Sequence, residues 1–195
     1  MVAAVILSGG ESRRMGSPKA LLPYHGRPFL QHLLDITQDA KIGARLVVLG
    51  AHANEIARSV RLNPNEVVVN EDWEKGQLSS IQAAVRKLPP QTEAILLCLV
   101  DHPLVSRHLV QKLVETFHAT GAPVVVPTYE GRRGHPVVFS AAVFPELLSA
   151  PPEVGARAVV RAHEGEIAEV PTGEEGVILN LNDPEALQKL SGESK

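Results

Sequence analysis

The sequence predicts a three-layer α/β fold: a doubly wound, mostly parallel sheet with helices on both faces, formed as one domain over residues 1–195. Two observations predict it. Short apolar runs recur without polar alternation, too short for lone helices and too continuous for a half-wet sheet, so they read as strands covered on both faces. The stretches between them carry apolar residues at spacings of three and four, the mark of helices that bury one stripe.

The elements follow in order. "VAAVIL" (2–7) is the first strand. Beyond Pro28, which suits a first helical turn, Leu30, Leu33, Leu34 and Thr37 share a stripe. "RLVVLG" (45–50) and "EVVV" (66–69) are strands. Residues 78–88 place Ile81, Ala84, Val85 and Leu88 on one helical face behind Ser79 or Ser80 as cap. "AILLCLV" (94–100) is the next strand, and 106–119 the next helix, with Ser106 as cap and Leu109, Val110, Leu113, Val114 and Phe117 on its inner face. "PVVVP" (123–127) closes the regular alternation. Then "TYEGRRGHPVVF" reads as a glycine-rich basic loop feeding a short strand, "GARAVVRAH" (155–163) as a helix, and "EIAEVP" and "GVILNLN" as strands. "DPEALQKL" opens with a helix-starting Asp-Pro.

Composition excludes several classes. With 44% hydrophobic residues the chain is able to bury its own core, and a net charge of -3 gives no footprint for nucleic acid or an anionic membrane. Positive charge must act locally. The single cysteine, Cys98, lies inside an apolar run, supports no disulfide framework, and is expected in the core. The opening "MVAAVILSGG" lacks a basic leader region and is too short to span a bilayer, so a soluble cytoplasmic protein is expected.

Open α/β sheets bind ligands outside the carboxyl ends of their strands. Loops 8–20, 70–80, 101–106 and 180–184 each follow an expected strand and should meet on one edge. The first, within "LSGGESRRMGSPKALL" (7–22), concentrates glycine, arginine and lysine, a composition suited to phosphate. It is not a Walker loop, since five residues separate Gly10 from Gly16 and Lys19 comes three later; nor does it fit the dinucleotide fingerprint.

Residues 7–19 do match L-[AS]-[AG]-G-x-[GS]-x-R-M-G-x-x-K, and so resemble the opening of the MobA and MocA type of molybdenum cofactor nucleotidyltransferases. The resemblance continues in "NEDWEKGQLSSIQAAV" (70–85), "CLVDHPL" (98–104), "GRRGHPVVF" (131–139) and "NLNDPEAL" (180–187). It implies a Rossmann-like nucleotidyltransferase fold and a nucleotide site made of Leu7, Ser8, Gly9, Gly10, Arg14, Met15, Gly16, Lys19, Gly76, Ser79 and Ser80. The glycines let backbone N–H groups approach a triphosphate, Arg14 offers a planar fork and Lys19 a mobile point charge. Arg13 fits equally well as a solvent-facing side chain, and Trp73 as packing beneath the second loop.

The implied chemistry is attack of an acceptor oxygen on the α-phosphorus of CTP or GTP with loss of pyrophosphate, the first candidate acceptor being molybdopterin. A phosphate acceptor is already anionic, so positioning and charge neutralisation matter more than a base. Mg²⁺ suits the task because it takes one or two carboxylates plus substrate phosphates. Asp101 is the leading ligand, and Arg14, Lys19 and Asp101 form the expected catalytic set. Where the cytidylyl type carries D-x-D-T-P, this chain has Asn180, Asn182 and Asp183, so Asn182 and Asp183 are expected to contribute to the metal, with Asp183 fitting equally as the cap of a final helix. His135 and Arg133, with Arg132 beside it, are expected on the acceptor side, and His102 reads as incidental. "GHPVVF" leans toward CTP, while Gly9 with Gly10 and "NLN" lean toward GTP. A sugar 1-phosphate acceptor and a non-catalytic nucleotide binder are the alternatives.

Overall fold

The computed structural model describes residues 1–12, 16–38 and 41–181. Its chain-order elements are β1 (Val2–Ser8), β2 (Pro23–Tyr24), β3 (Arg27–Pro28), α1 (Phe29–Ile36), β4 (Ile42–Leu49), α2 (Ala53–Val60), β5 (Val67–Val69), α3 (Gln77–Val85), β6 (Ala94–Leu99), α4 (Arg107–Thr120), β7 (Val124–Tyr129), β8 (Arg132–Arg133), β9 (Val137–Ser140), α5 (Phe144–Ser149), α6 (Arg157–Ala162) and β10 (Ile167–Pro171). The main sheet has eight strands in the order β10-β7-β9-β6-β1-β4-β5, with β8 paired to β7. The two-residue strands β2 and β3 form a separate hairpin before α1.

β1 sits between β6 and β4 and is parallel to both, with Leu7 facing Leu99 on one side and Val48 on the other. All of its residues are buried, as its unbroken apolar run requires. Alternate side chains divide between two cores. Val2 and Ile6 join Leu30, Leu33, Ile56, Leu109 and Leu113 on the α1, α2 and α4 side. Val5 and Leu7 join Ile81, Ala84, Leu147 and Val159 on the α3, α5 and α6 side. Cys98 is 1% exposed in the first of these cores, where burial pushes its thiol up to about 12.

The helices start and stop for visible reasons. Ser106 caps α4, its Oγ accepting from Leu109 N–H, and Gly121 ends it in the left-handed region. α1 follows Pro28, which stands at the cap rather than inside the first turn, and Thr37 Oγ1 donates back to Leu33 O at its end. α3 begins at Gln77, so Ser79 lies within its first turn, and neither Ser79 nor Ser80 is its cap. That position belongs to Gly76 at φ +95°, a conformation that favours glycine.

β9 and β8 run antiparallel to their neighbours. A connection as short as 130–136 returns the chain beside β7 but leaves no room for a crossover helix. Among the described residues, the strand expected in "GVILNLN" does not form. Glu175–Val177 is a 3-10 turn, and Val177 and Leu181 bury their side chains on the core instead of joining the sheet. The expected final helix "DPEALQKL" lies outside the described residues.

Candidate active site

Because β1, β4, β5 and β6 are parallel, their carboxyl ends all reach the same rim of the sheet. A cavity of about 330 Å³ opens there, walled by the loop after β1, the loop after β5 with the start of α3, and the end of β6. Leu7, Ser8, Gly9, Gly10 and Lys19 line it, together with Gly76, Ser80 and Asp101. Trp73 and Ile56 complete its wall.

In the first loop, Gly9 has its missing Cβ turned toward Ser80 Oγ, 3.2 Å from where that atom would stand, whereas nothing lies within 4 Å at Gly10. The loop is closed by Lys19 N–H donating to Ser12 Oγ at 3.0 Å, which sets Lys19 in a short 3-10 turn, Lys19–Leu21, at the cavity edge. Gly16 is exposed at φ +67°. Arg13, Arg14 and Met15 lie outside the described residues.

The second loop is organised by Asn70, a residue that sequence reasoning passed over. Asn70 is 5% exposed; its Nδ2 donates to Ser79 Oγ at 2.9 Å and Ser80 Oγ at 3.0 Å, and its Oδ1 accepts from Asp72 N–H. Ser79 Oγ also lies 2.7 Å from Gly76 O and 2.9 Å from Asp72 O, so this hydroxyl is engaged with its own loop and does not line the cavity. Ser80 does line it, and Gly76 and Gln77 bring the N-terminal end of α3, with its unsatisfied N–H groups, to the same wall. An asparagine directly after an apolar strand run was the available signal, since that side chain closes turns on its own backbone.

Asp101 follows β6 and meets Lys19 across the cavity. Lys19 Nζ stands 3.6 Å from Asp101 Oδ2, and the two side chains are 16% and 21% exposed. Screening by water is weak at such a site, so the pair sets a strong local field, attractive to anions at the lysine and to cations at the aspartate. Behind Asp101, His102 is 7% exposed, its ring lies tilted against that of His135 with centroids 4.8 Å apart, and its Nδ1 has no partner among the described residues. Burial lowers the affinity of both rings for a proton, and in His135 burial, followed by the neighbouring His102, brings the value to about 4.

The acceptor-side expectation divides. His135 lies against His102, next to Asp101 in sequence, but not on the cavity wall. Arg133 is placed elsewhere: its guanidinium pairs with Glu164 at 2.8 Å and Glu169 at 2.7 Å, tying β8 to the β10 edge, and it does not line the cavity. Arg132, exposed on the same short strand, does not line the cavity either. The fourth expected loop does touch the site, because Leu181 N–H donates to Asp101 O at 2.8 Å. Asn180 is exposed beside it, while Asn182 and Asp183 lie outside the described residues. Among the described residues no three His, Cys, Asp or Glu side chains gather as a self-contained metal cage. One carboxylate beside a glycine-rich loop and a lysine fits Mg²⁺ or Mn²⁺ better than a closed structural site, because such ions complete their shell with water and substrate oxygens.

A parallel sheet whose rim carries a glycine-rich loop, a helix start, a lysine and a lone carboxylate defines a nucleotide-binding α/β protein. Comparison makes the assignment specific: residues 4–167 match the MobA-like NTP transferase domain, and the chain belongs to that family of nucleotidyltransferases. Among curated relatives, nicotine blue oxidoreductase of Paenarthrobacter nicotinovorans is 32% identical over 82% of this chain and 81% of its own. Molybdenum cofactor guanylyltransferase of Xanthomonas euvesicatoria is 34% identical over 56% of this chain and 52% of its own. The crystal structure of Rv0371c from Mycobacterium tuberculosis superposes with a TM-score of 0.86 at 28% identity, covering 97% of this chain and 96% of that one. A manganese complex of Rv0371c is also known, with a TM-score of 0.83 at 27% identity over 100% of this chain and 99% of that one.

Proposed function

We propose that this chain is a Mg²⁺-dependent nucleotidyltransferase that moves a nucleoside monophosphate from CTP or GTP onto a phosphorylated acceptor, with molybdopterin the first candidate, and releases pyrophosphate. The carrying observation is that Lys19 and Asp101 face each other at 3.6 Å in one cavity beside the glycine loop.

In the reaction an acceptor phosphate oxygen forms a bond to the α-phosphorus while the bond from that phosphorus to the oxygen bridging to the β-phosphate breaks. Gly10 allows close approach of the first loop to the phosphates, and the start of α3 adds a positive dipole end. Lys19 neutralises charge that builds on the transferring and departing phosphates. Asp101 would hold the divalent ion, which supplies the same neutralisation from the opposite side. Arg14 is proposed to share the anion with Lys19, and Met15 and Gly16 to shape the loop between them. Asn182 and Asp183 are proposed to complete the metal shell. His135, kept neutral by burial, lies behind Asp101 and supports the acceptor side of the cavity through His102. The molybdenum cofactor guanylyltransferase relative supports a pterin acceptor, and the "GHPVVF" segment favours CTP.

The test is a pyrophosphate-release assay with Mg²⁺ and Mn²⁺, offering molybdopterin or sugar 1-phosphates with each of the four triphosphates. Molybdopterin-dependent release with CTP or GTP is the expected result, and inactivity with every pair would sink it. The long match to nicotine blue oxidoreductase supports a second reading, redox chemistry on the same scaffold. Oxidation of a reduced nicotinamide nucleotide by a quinonoid dye, with no pyrophosphate formed in the first assay, would favour it.

A further inference from the structure

The corner between β4 and α2, residues 50–52, lies outside the four loops that the sequence singles out and does not line the cavity, yet it touches the first loop at alternate residues. Ala51 N–H donates to Gly9 O at 3.2 Å. His52 Nε2 lies 3.1 Å from Glu11 O; a carbonyl only accepts, so this ring nitrogen carries the hydrogen and donates. The other ring nitrogen, Nδ1, stands 3.6 Å from the Glu55 carboxylate in the first turn of α2, too far for a hydrogen bond but close enough to attract the ring whenever it is charged. Gly50 permits the approach: a Cβ there would run into Gly9 O and come within 2.7 Å of Trp73 Cβ.

In a trans peptide the carbonyl and the following N–H point in opposite directions. Holding Gly9 O and Glu11 O against the corner therefore turns the N–H groups of Gly10 and Ser12 away from it. Both residues line the cavity. We propose that the 50–52 corner, with His52 as its key side chain, is a positioning element that fixes the peptide orientation of the first loop, so that the loop offers N–H groups rather than carbonyl oxygens to a bound polyphosphate. The polyphosphate as ligand rests on the function proposed above; the hold on the loop does not.

The test compares His52→Ala and His52→Gln, the second of which keeps an N–H donor of similar reach. Amide hydrogen exchange of residues 8–20 is measured without nucleotide, and Mg²⁺-CTP and Mg²⁺-GTP are titrated while following Trp73, the single tryptophan of the chain. In His52→Ala, loop exchange should accelerate roughly tenfold as one local hydrogen bond is lost, with the global melting temperature little changed. Triphosphate affinity should weaken roughly five- to tenfold, the loss appearing in KM more than in kcat. His52→Gln should restore both. Loop exchange in His52→Ala equal to that of the parent protein overturns the proposal, as does a Gln variant as impaired as the Ala variant. A parent protein that binds neither triphosphate overturns the functional reading instead, and is told apart because the exchange measurement needs no ligand.

Discussion

Asp101 keeps its place in a largely buried position because an ammonium group faces it and because its backbone carbonyl is held by Leu181. Neither contact is strong alone, yet each makes the carboxylate available at the one point where the phosphate loop and the end of β6 meet. Replacing Asp101 by Asn or Lys19 by Ala should therefore lower turnover by about a hundredfold or more, the scale of lost transition-state electrostatics, while leaving the melting temperature within a few degrees. Pyrophosphate release and thermal melts on the two variants check this, and near-normal turnover in either removes that residue from the mechanism. His135 gives a pH-dependent outcome. Its folded value of about 4 lies below the ordinary histidine value of 6.5, so between these limits the unfolded chain binds more protons. Stability should thus fall as the pH is lowered from 6.5 toward 4, and His135→Gln should flatten that acid limb in urea melts. Some slope will remain, because His102 is shifted in the same direction.

Among the elements, what the sequence revealed depended on how much apolar surface each one buries. β1, β6 and β7 stood out because both faces are covered, and α4 because five of its residues turn inward. α2 buries only Ile56, so its periodicity was too sparse to mark a helix. Strand direction was invisible in "VVF", since a strand sealed on both faces has the same composition whichever way it runs; only the short link from β7 decides it. The same limit applied at the site. Gly9, Lys19 and Asp101 were legible as chemistry, but Asn70 and His52, which shape the loops from behind, carry no motif of their own. The ion pairs of Arg133 were not legible, because charge in a basic loop looks alike whether it awaits an anion or is already paired with Glu164 and Glu169. The loop between β5 and α3 yields its own outcome. Asn70→Ala removes the donor shared by Ser79 and Ser80 and should destabilise the fold by about 2–3 kcal/mol, as expected for a buried multidentate polar group, while raising KM for the nucleotide. Urea unfolding and steady-state kinetics measure the two effects.

For the molecule as a whole, residues 174–181 act as a strap. Glu174 accepts from both the backbone and the hydroxyl of Ser106, Val177 O accepts from His135 N–H, and Leu181 N–H reaches Asp101 O. A single strap thus joins the acidic loop, the cap of α4 and the link between β8 and β9. Its closeness depends on Gly176, where a Cβ would collide with the carbonyl of Leu104 and approach the Leu104 Cβ to 2.7 Å. Gly176→Ala should cost about 1–3 kcal/mol of stability, the usual penalty of overpacking, and should lower kcat by shifting the 101–106 loop. A variant with unchanged melting temperature and unchanged kcat would show that the strap is dispensable. The match to the MobA-like NTP transferase domain ends at residue 167, before the strap begins, so the region that seats the acid lies beyond the matched span.

The bond from Leu181 to Asp101 also bears on how the protein comes into being on the ribosome. Synthesis delivers the glycine loop first and the acidic residue later, and the bond from Leu181 to Asp101 can form only once residue 181 is free of the exit tunnel. Until then the carbonyl of Asp101 lacks the partner that Leu181 supplies, and the acidic loop is held at one end only.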